Sequence, residues 1–170
     1  AIINLAAKSG GVLLSKKYPA ELMNDNLLIS LNILKAARNN FINRVILILS
    51  TACYAPNENN PSEDRILEGI LDGNDFAYGY AKRLQVPLMK AFNTQYDMNI
   101  SCAVVNGVVG PNLNFKEDES TLVAALIRRF HENINGTNSI EVWGDGSPIR
   151  EFTYSVDLAN ALLWCVRNQD

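Results

Sequence analysis

The residues with the clearest chemical potential are a tyrosine and a lysine four positions apart, in the segment Tyr78-Gly-Tyr-Ala-Lys82. On a helix this spacing puts the phenol and the ammonium on one face, a turn apart. A nearby ammonium favours the phenolate, so we expect Lys82 to lower the pKa of Tyr78. Ser50 ends an apolar run and could hydrogen-bond the same reacting oxygen. The three residues together suit proton transfer to or from a carbonyl or an alcohol.

The segments that must position these residues alternate between apolar β-branched runs and helical patterns, which is typical of a parallel α/β sheet. Strands are predicted over residues 2–5, 44–49, 100–105 and 141–143, and helices over 21–38, 76–96, 122–130 and 158–167. Pro87 lies inside the second helix and predicts a local break there. Asp157 is predicted as the N-cap of the last helix. Ligands of open α/β sheets bind at the carboxyl ends of the strands, where Ser50 stands.

The composition excludes several other classes of protein. The chain has 170 residues, 48% of them hydrophobic, and a net charge of −3, which suits a globular domain with its own core. Its basic residues are scattered, so we expect no nucleic-acid partner, and no apolar run reaches the roughly 20 residues of a membrane helix. Three cysteines and one histidine form no zinc-ligand pattern, so no metal and a reducing, cytoplasmic setting are expected.

Several motifs resemble the extended short-chain dehydrogenase/reductase family (the NAD-dependent epimerase/dehydratase family), and within it the branch of GDP-L-fucose synthase. Ser50 and the Tyr78–Lys82 segment mark the superfamily. The other matching stretches run in the family's order through nearly the whole chain. They are Leu5-Ala-Ala-Lys-Ser-Gly-Gly11, Asn26-Leu-Leu-Ile-Ser-Leu-Asn32, Ser50-Thr-Ala-Cys-Tyr54, Gly110-Pro-Asn-Leu-Asn-Phe115, Ala125-Leu-Ile-Arg-Arg-Phe-His131 and Val142-Trp-Gly-Asp-Gly-Ser-Pro-Ile-Arg-Glu-Phe152.

The resemblance implies a fold, a reaction and a set of site residues. The fold would be the C-terminal part of a Rossmann-like, doubly wound parallel sheet over residues 1–107, without the family's first βαβ unit. Substrate-domain segments and the last Rossmann elements would follow over 108–170. The reaction would be the reduction of a 4-keto nucleotide-diphospho-sugar of the GDP-4-keto-6-deoxy-hexose type with NADP, or alternatively NAD, and the protein would be a homodimer. Ser50, Tyr78 and Lys82 would be catalytic and also contact the cofactor. Further cofactor contacts would come from Leu5, Ala6, Ala7 and Gly10, and substrate contacts from Asn106, Arg129, Trp143 and Arg150.

Some positions depart from the family's pattern. The cysteine and the histidine with which fucose synthases epimerise the sugar correspond here to Ala52 and Thr121, and neither side chain can do that acid–base work. A one-residue insertion would instead bring Cys53 into the cysteine's role. Gly107 stands where the family carries Asn, and the adjacent Asn106 could replace it. The epimerase step is therefore in doubt, whereas the reduction keeps its residues.

Two further interpretations stay open beside the reductase. A nucleotide-sugar 4-epimerase or 4-dehydrogenase needs only the serine, the tyrosine, the lysine and a bound nicotinamide. The family's glycine-rich loop, which seats the cofactor pyrophosphate on a helix N-terminus, would precede Ala1. The chain is therefore also compatible with a fragment, or with a truncated, non-catalytic domain.

Overall fold

The centre of the molecule in the computed structural model is a parallel three-stranded sheet with the strand order β1-β2-β3. Its strands are β1 (Ile2–Asn4), β2 (Arg44–Ser50) and β3 (Asn99–Val105). In the register, Ile3 lies opposite Ile46 and Ser50 opposite Val105. The parallel α/β class is therefore confirmed. The structure describes residues 1–10, 12–56, 61–117, 119–136, 139–142, 144–147 and 149–168.

Helices connect the strands and cover the sheet. They are α1 (Val12–Lys17), α2 (Pro19–Asn39), α3 (Phe76–Arg83), α4 (Gln85–Tyr96), α5 (Leu122–Glu132) and α6 (Ser155–Asn168). A short 3₁₀ turn, Thr51–Cys53, follows β2 directly. The predicted strands of the central sheet and the four predicted helices are thus present with small shifts of their ends, whereas α1 had no clear sequence signal.

The core lies between β2 and the helices packed on it. Leu47 of β2 is fully buried, and so are Leu34 and Ala37 of α2, which belong to the same apolar cluster. A strand that is buried along most of its length needs a continuous apolar run, and 45–49 supplies it. Burying each large aliphatic side chain contributes about 1.5–3 kcal/mol to folding. The core therefore holds the carboxyl end of β2 rigidly.

The predicted break in the second long helix is confirmed. The helical segment is divided at Leu84 into α3 and α4, and Pro87 lies in the first turn of α4. Proline has no N–H to donate to the carbonyl four residues earlier. As a result α3 is a separate short helix that carries both Tyr78 and Lys82.

The later part of the chain forms a parallel pair of two-residue strands, β4 (Val108–Val109) and β5 (Thr153–Tyr154). The backbone N–H of Thr153 donates to the carbonyl of Gly107 over 3.1 Å. Gly107 has a φ of +29°, and a Cβ there would overlap the carbonyl oxygen of Glu151. An asparagine at this position would not fit, so the glycine is required for the close approach.

Two expectations for this part of the chain were wrong. Residues 141 and 142 are not in a strand, and the carbonyl of Glu141 accepts a side-chain hydrogen bond from Arg129 rather than a strand partner's N–H. Asp157 is not an N-cap, because α6 already begins at Ser155, directly after β5. Asp157 therefore lies in the first turn of α6, where its negative charge interacts favourably with the positive end of the helix dipole.

Within the part of the chain that the structure describes, none of the helices has both the length and the apolar character needed to cross a membrane. The same residues contain no group of three or more His, Cys, Asp or Glu side chains arranged to hold a metal ion.

Candidate active site

The tyrosine and the lysine of the Tyr78–Lys82 segment meet beside the carboxyl end of β2. Lys82 is only 3% exposed, and its Nζ lies 5.8 Å from the centroid of the Tyr78 ring. The same Nζ donates a hydrogen bond of 2.8 Å to the main-chain carbonyl of Ile48 in β2. The lysine side chain therefore ties α3 to the strand end and holds the ammonium at the tyrosine.

Ser50 joins these two residues from the last position of β2. Its Oγ accepts a hydrogen bond of 3.2 Å from the backbone N–H of Ala52, which caps the following 3₁₀ turn. The Ser50 hydroxyl also hydrogen-bonds the phenol of Tyr78. Ser50, Tyr78 and Lys82 line one cleft of about 650 Å³. The structure thus brings the three predicted residues together.

The pKa of Tyr78 moves in the direction opposite to our expectation. Burial raises the pKa of the phenol above its usual value, the nearby Cys53 thiol and the Asp75 carboxylate raise it further, and the hydrogen bond from Ser50 opposes the rise. Burial also lowers the pKa of Lys82. Burial is therefore the main cause of the shift, and Tyr78, like an unperturbed tyrosine, is protonated at neutral pH.

A glycine between the two tyrosines of the segment makes this packing possible. A Cβ on Gly79 would overlap the carbonyl oxygen of Ala52 and lie 3.0 Å from a methyl of Leu71. The backbone of α3 therefore rests directly on the 3₁₀ turn after Ser50. This contact fixes the distance between Tyr78 and the carboxyl end of β2.

The loop after β1 forms the opposite wall of the cleft. Leu5, Ala7 and Gly10 line the cleft, whereas Ala6 lines an adjacent shallow depression together with Ala7. Asn26 of α2, 1% exposed, holds this loop. Its side chain accepts from the Lys8 N–H at 3.1 Å and donates to the Lys8 carbonyl at 2.8 Å.

The cleft fits the nicotinamide riboside part of a dinucleotide cofactor. Small residues on the β1 loop let a ligand approach the backbone closely. The ammonium of Lys82 carries three N–H donors, and among the described residues Ile48 is its one hydrogen-bond acceptor, so donors remain for ribose hydroxyls. Leu158 and Leu162 of α6 add an apolar wall that our sequence reasoning missed. The periodicity of α6 shows an apolar face but not what that face covers.

The two positions that depart from the fucose-synthase pattern, Ala52 and Thr121, both line the cleft. Cys53, the alternative acid, does not line it, and its side chain is fully buried. Burial raises the pKa of the Cys53 thiol, although Arg83 and Lys82 oppose the rise. A buried thiol with a raised pKa cannot exchange protons with a ligand in the cleft.

A second chamber of about 760 Å³ opens next to the cleft and shares Thr51, Ala52 and Asp75 with it. Asn106 and Arg150 line this chamber. The amide of Asn106 donates to the Glu151 carboxylate over 3.2 Å and accepts from the Thr51 hydroxyl over 3.4 Å. Two of the four predicted substrate contacts therefore line the chamber next to the cleft that holds Tyr78.

The structure does not place the other two predicted substrate-binding residues in the cleft or in the second chamber. Arg129 lines neither chamber, and its Nη1 donates to the carbonyl of Glu141 over 2.7 Å. Trp143 lies outside the described residues. Asp75 was missed by the sequence analysis, although it lies in both chambers three residues before Tyr78.

Comparisons with known proteins agree with this geometry. The sequence profile of the NAD dependent epimerase/dehydratase family matches residues 1–170. The chain belongs to this family. It is 34% identical to the GDP-L-fucose synthase of Escherichia coli over 158 residues, covering 92% of this chain and 49% of that protein. It is 32% identical to GDP-L-fucose synthase 1 of Arabidopsis thaliana over 165 residues, covering 96% of this chain and 51% of the relative.

Two solved structures superpose closely on the chain. A GDP-L-fucose synthetase from Naegleria fowleri bound to NADP matches with a TM-score of 0.82 at 27% identity, covering 96% of this chain and 54% of that one. A GDP-6-OMe-4-keto-L-xylo-heptose reductase from C. jejuni matches with a TM-score of 0.88 at 24% identity, covering 99% of this chain and 57% of that one, and shows the same fold. The chain spans about half the length of the curated relatives it matches.

Proposed function

We propose that the protein is an NADP(H)-dependent reductase of a 4-keto GDP-sugar, of the GDP-4-keto-6-deoxy-hexose type. The observation that carries this proposal is the convergence of Ser50, Tyr78 and Lys82 on one cleft, where the phenol of Tyr78 is available as a proton donor. Reduction of a ketone requires a protonated acid, whereas oxidation of an alcohol requires a base. The names of the curated relatives support the GDP-sugar substrate, and the NADP-bound relative supports the cofactor, with NAD as the alternative.

Each of the three residues has a distinct role in this proposal. The phenol of Tyr78 donates its proton to the keto oxygen of the sugar, and the Ser50 hydroxyl donates a hydrogen bond to the same oxygen. A nicotinamide held in the cleft by Lys82 would supply the hydride to the carbonyl carbon, so that C=O becomes CH–OH with the proton from Tyr78. Lys82 holds the ribose of the cofactor while its link to Ile48 keeps α3 in place.

The remaining site residues divide between cofactor and substrate. Leu5, Ala6, Ala7 and Gly10 form the wall against the cofactor. Asn106 and Arg150 contact the sugar nucleotide in the second chamber, where the guanidinium of Arg150 suits a diphosphate. Arg129 and Trp143 are assigned to the substrate on the family resemblance alone.

This proposal includes no epimerisation. The side chains at the two family positions, Ala52 and Thr121, face the cleft but carry no group that titrates near neutral pH. The buried Cys53 cannot replace them. The ring carbons next to the ketone therefore keep their hydrogens during the reaction.

We further propose the organisation of the protein that contains this chain. Residues 1–107 form the later part of the dinucleotide-binding domain, and residues 108–170 combine substrate-domain segments with the last Rossmann elements. The dimer forms through α2 together with α3 and α4, and the protein works in the cytoplasm. Sedimentation that shows only a monomer at micromolar concentration would contradict the homodimer.

The test is to incubate the complete gene product with GDP-4-keto-6-deoxymannose and NADPH in deuterated water. NADPH absorbance reports reduction, and mass spectrometry reports deuterium at the neighbouring ring carbons. We expect NADPH oxidation without deuterium at those carbons. Oxidation with deuterium there would show that epimerisation is retained.

Matched variants assign the proton donor. Tyr78→Phe should lower kcat by about 10²–10⁴-fold, the usual contribution of a general acid. Tyr80→Phe is the control, because the Tyr80 hydroxyl accepts a hydrogen bond of 3.2 Å from the backbone N–H of Leu71 and does not line the cleft. No NADPH oxidation by the wild type would overturn the reductase. If the wild type instead interconverts the sugar at C4 and keeps its nicotinamide nucleotide through purification, the protein is a 4-epimerase. If it has neither activity, the chain is a non-catalytic domain.

A further inference from the structure

Arg83 is a buried arginine to which the proposed reaction gives no role. It follows Lys82 on α3 and is only 5% exposed. Its Nε donates to the main-chain carbonyl of Cys53 and its Nη1 to that of Gly69, each over 2.7 Å. One rigid side chain thus links two points that are sixteen residues apart in the sequence.

Cys53 and Gly69 do not themselves line the second chamber, but residues close to each of them in the chain do. Tyr54 and Ala55, which follow Cys53, line one wall of the chamber, and Leu71, which follows Gly69, lines another. The walls touch at Gly69, where the φ is +69° and a Cβ would lie 2.7 Å from the Cβ of Ala55. The guanidinium therefore holds the chain at the point where the two walls meet.

Burying the Arg83 guanidinium costs free energy, which indicates that its two hydrogen bonds to main-chain carbonyls serve a purpose. Among the described residues, no carboxylate forms an ion pair with Arg83, and both of its hydrogen-bond acceptors are neutral carbonyls. Its Nη2 is buried and has no hydrogen-bond partner within the described part of the chain. A buried charge without a counter-charge is expensive, and an apolar side chain of similar volume would fill the space at lower cost.

We propose that Arg83 is a positioning residue for the substrate: it sets the spacing of the two walls of the second chamber and thereby the affinity for the nucleotide-sugar. This rests on the proposed function, in which that chamber holds the sugar nucleotide. The planar guanidinium is suited to the task because its donors are fixed in a fork that reaches two acceptors at once. Lysine has the same charge but presents it as a single compact group.

The test compares Arg83→Lys with the wild type by calorimetric titration of GDP-mannose as a stable sugar-nucleotide probe, and of NADPH in a separate experiment. We expect the Kd for GDP-mannose to rise about tenfold, in line with the loss of one charge-assisted hydrogen bond. The Kd for NADPH should stay within about twofold of the wild-type value, and the shape of the pH–kcat profile should not change. The reason is that Arg83 does not line the cleft that holds Tyr78. Arg65→Lys is the control, because Arg65 is an exposed arginine in the stretch of chain between Cys53 and Gly69.

Hydrogen exchange gives a second readout that needs no ligand. In Arg83→Met, and to a lesser degree in Arg83→Lys, amides of residues 53–56 and 69–72 should exchange faster, while those of β1 and β2 keep the wild-type rate. An unchanged Kd for GDP-mannose in Arg83→Lys would overturn the proposal. Equal losses of GDP-mannose and NADPH affinity would also overturn it, because they indicate general destabilisation. If the wild type binds GDP-mannose but does not reduce the keto sugar, the proposed function fails, and the same titration still decides the role of Arg83.

Discussion

Adding one methyl group at Gly79 is the most direct test of how the site is positioned. The Cβ of Gly79→Ala would overlap the carbonyl oxygen of Ala52, and ordinary contact needs a separation of 3.4 Å or more. Because close-packed interiors transmit such strain, α3 must move away from the 3₁₀ turn by about 1 Å. Tyr78 and Lys82 move with it, since both are on α3.

The expected magnitudes separate catalysis from stability. Overpacking by one methyl costs about 1–3 kcal/mol, and the better helix propensity of alanine returns about 1 kcal/mol. The net loss of unfolding free energy is therefore about 0–2 kcal/mol, or a fall in Tm of up to roughly 8 °C for a chain of this size. A displacement of about 1 Å at the proton donor lowers kcat by about 10²-fold.

The assay measures kcat by NADPH absorbance with the keto sugar, and Tm by calorimetry on the same preparation. Gly136→Ala is the matched control, because the nearest neighbour of its Cβ is 3.4 Å away and the residue is remote from the cleft. A Gly79→Ala variant with wild-type kcat would refute the argument that this contact positions Tyr78. A loss of kcat that follows only the fraction of unfolded protein would refute it as well.

The remaining predictions concern proton transfer. Because the pKa of Tyr78 is raised, kcat should stay constant through neutral pH and fall only above about pH 10, as the phenol ionises. Asp75→Asn removes a negative charge that raises this pKa, so the falling limb of the pH–rate profile should move to lower pH; a move to higher pH would contradict the assignment. Cys53→Ala should leave kcat within about twofold of the wild type while costing about 1 kcal/mol of unfolding free energy for the lost buried sulfur. A tenfold loss of kcat, measured at equal folded fraction, would show that Cys53 takes part in the reaction.

Much of the site could be predicted from the sequence because its signals are local. The spacing of Tyr78 and Lys82 puts both on one helical face whatever surrounds them. The apolar run of β2 indicates a buried strand, and Ser50 then stands at its carboxyl end. The break before Pro87 follows from the chemistry of a single residue. These features depend on neighbours within a few positions, which a sequence displays directly.

Other features depend on parts of the chain that are far apart in sequence. Arg83 reaches the carbonyls of Cys53 and Gly69, and no pattern in the sequence reports those contacts. The strand expected at 141–143 is absent at residues 141 and 142, where the carbonyl of Glu141 accepts a hydrogen bond from Arg129 of α5. A short alternating segment forms a strand only where a neighbouring strand pairs with it, and the sequence does not show whether that partner is present.

The sequence by itself determined the parallel α/β class, the break between α3 and α4, and the identity of the serine, tyrosine and lysine. Tertiary structure alone decided the direction in which the pKa of Tyr78 moves: it is raised although an ammonium stands beside it. It also decided that Ala52 faces the cleft while Cys53 is buried behind it. The physical reason is that burial and desolvation are properties of the packed interior, in which groups from distant parts of the chain exclude water together.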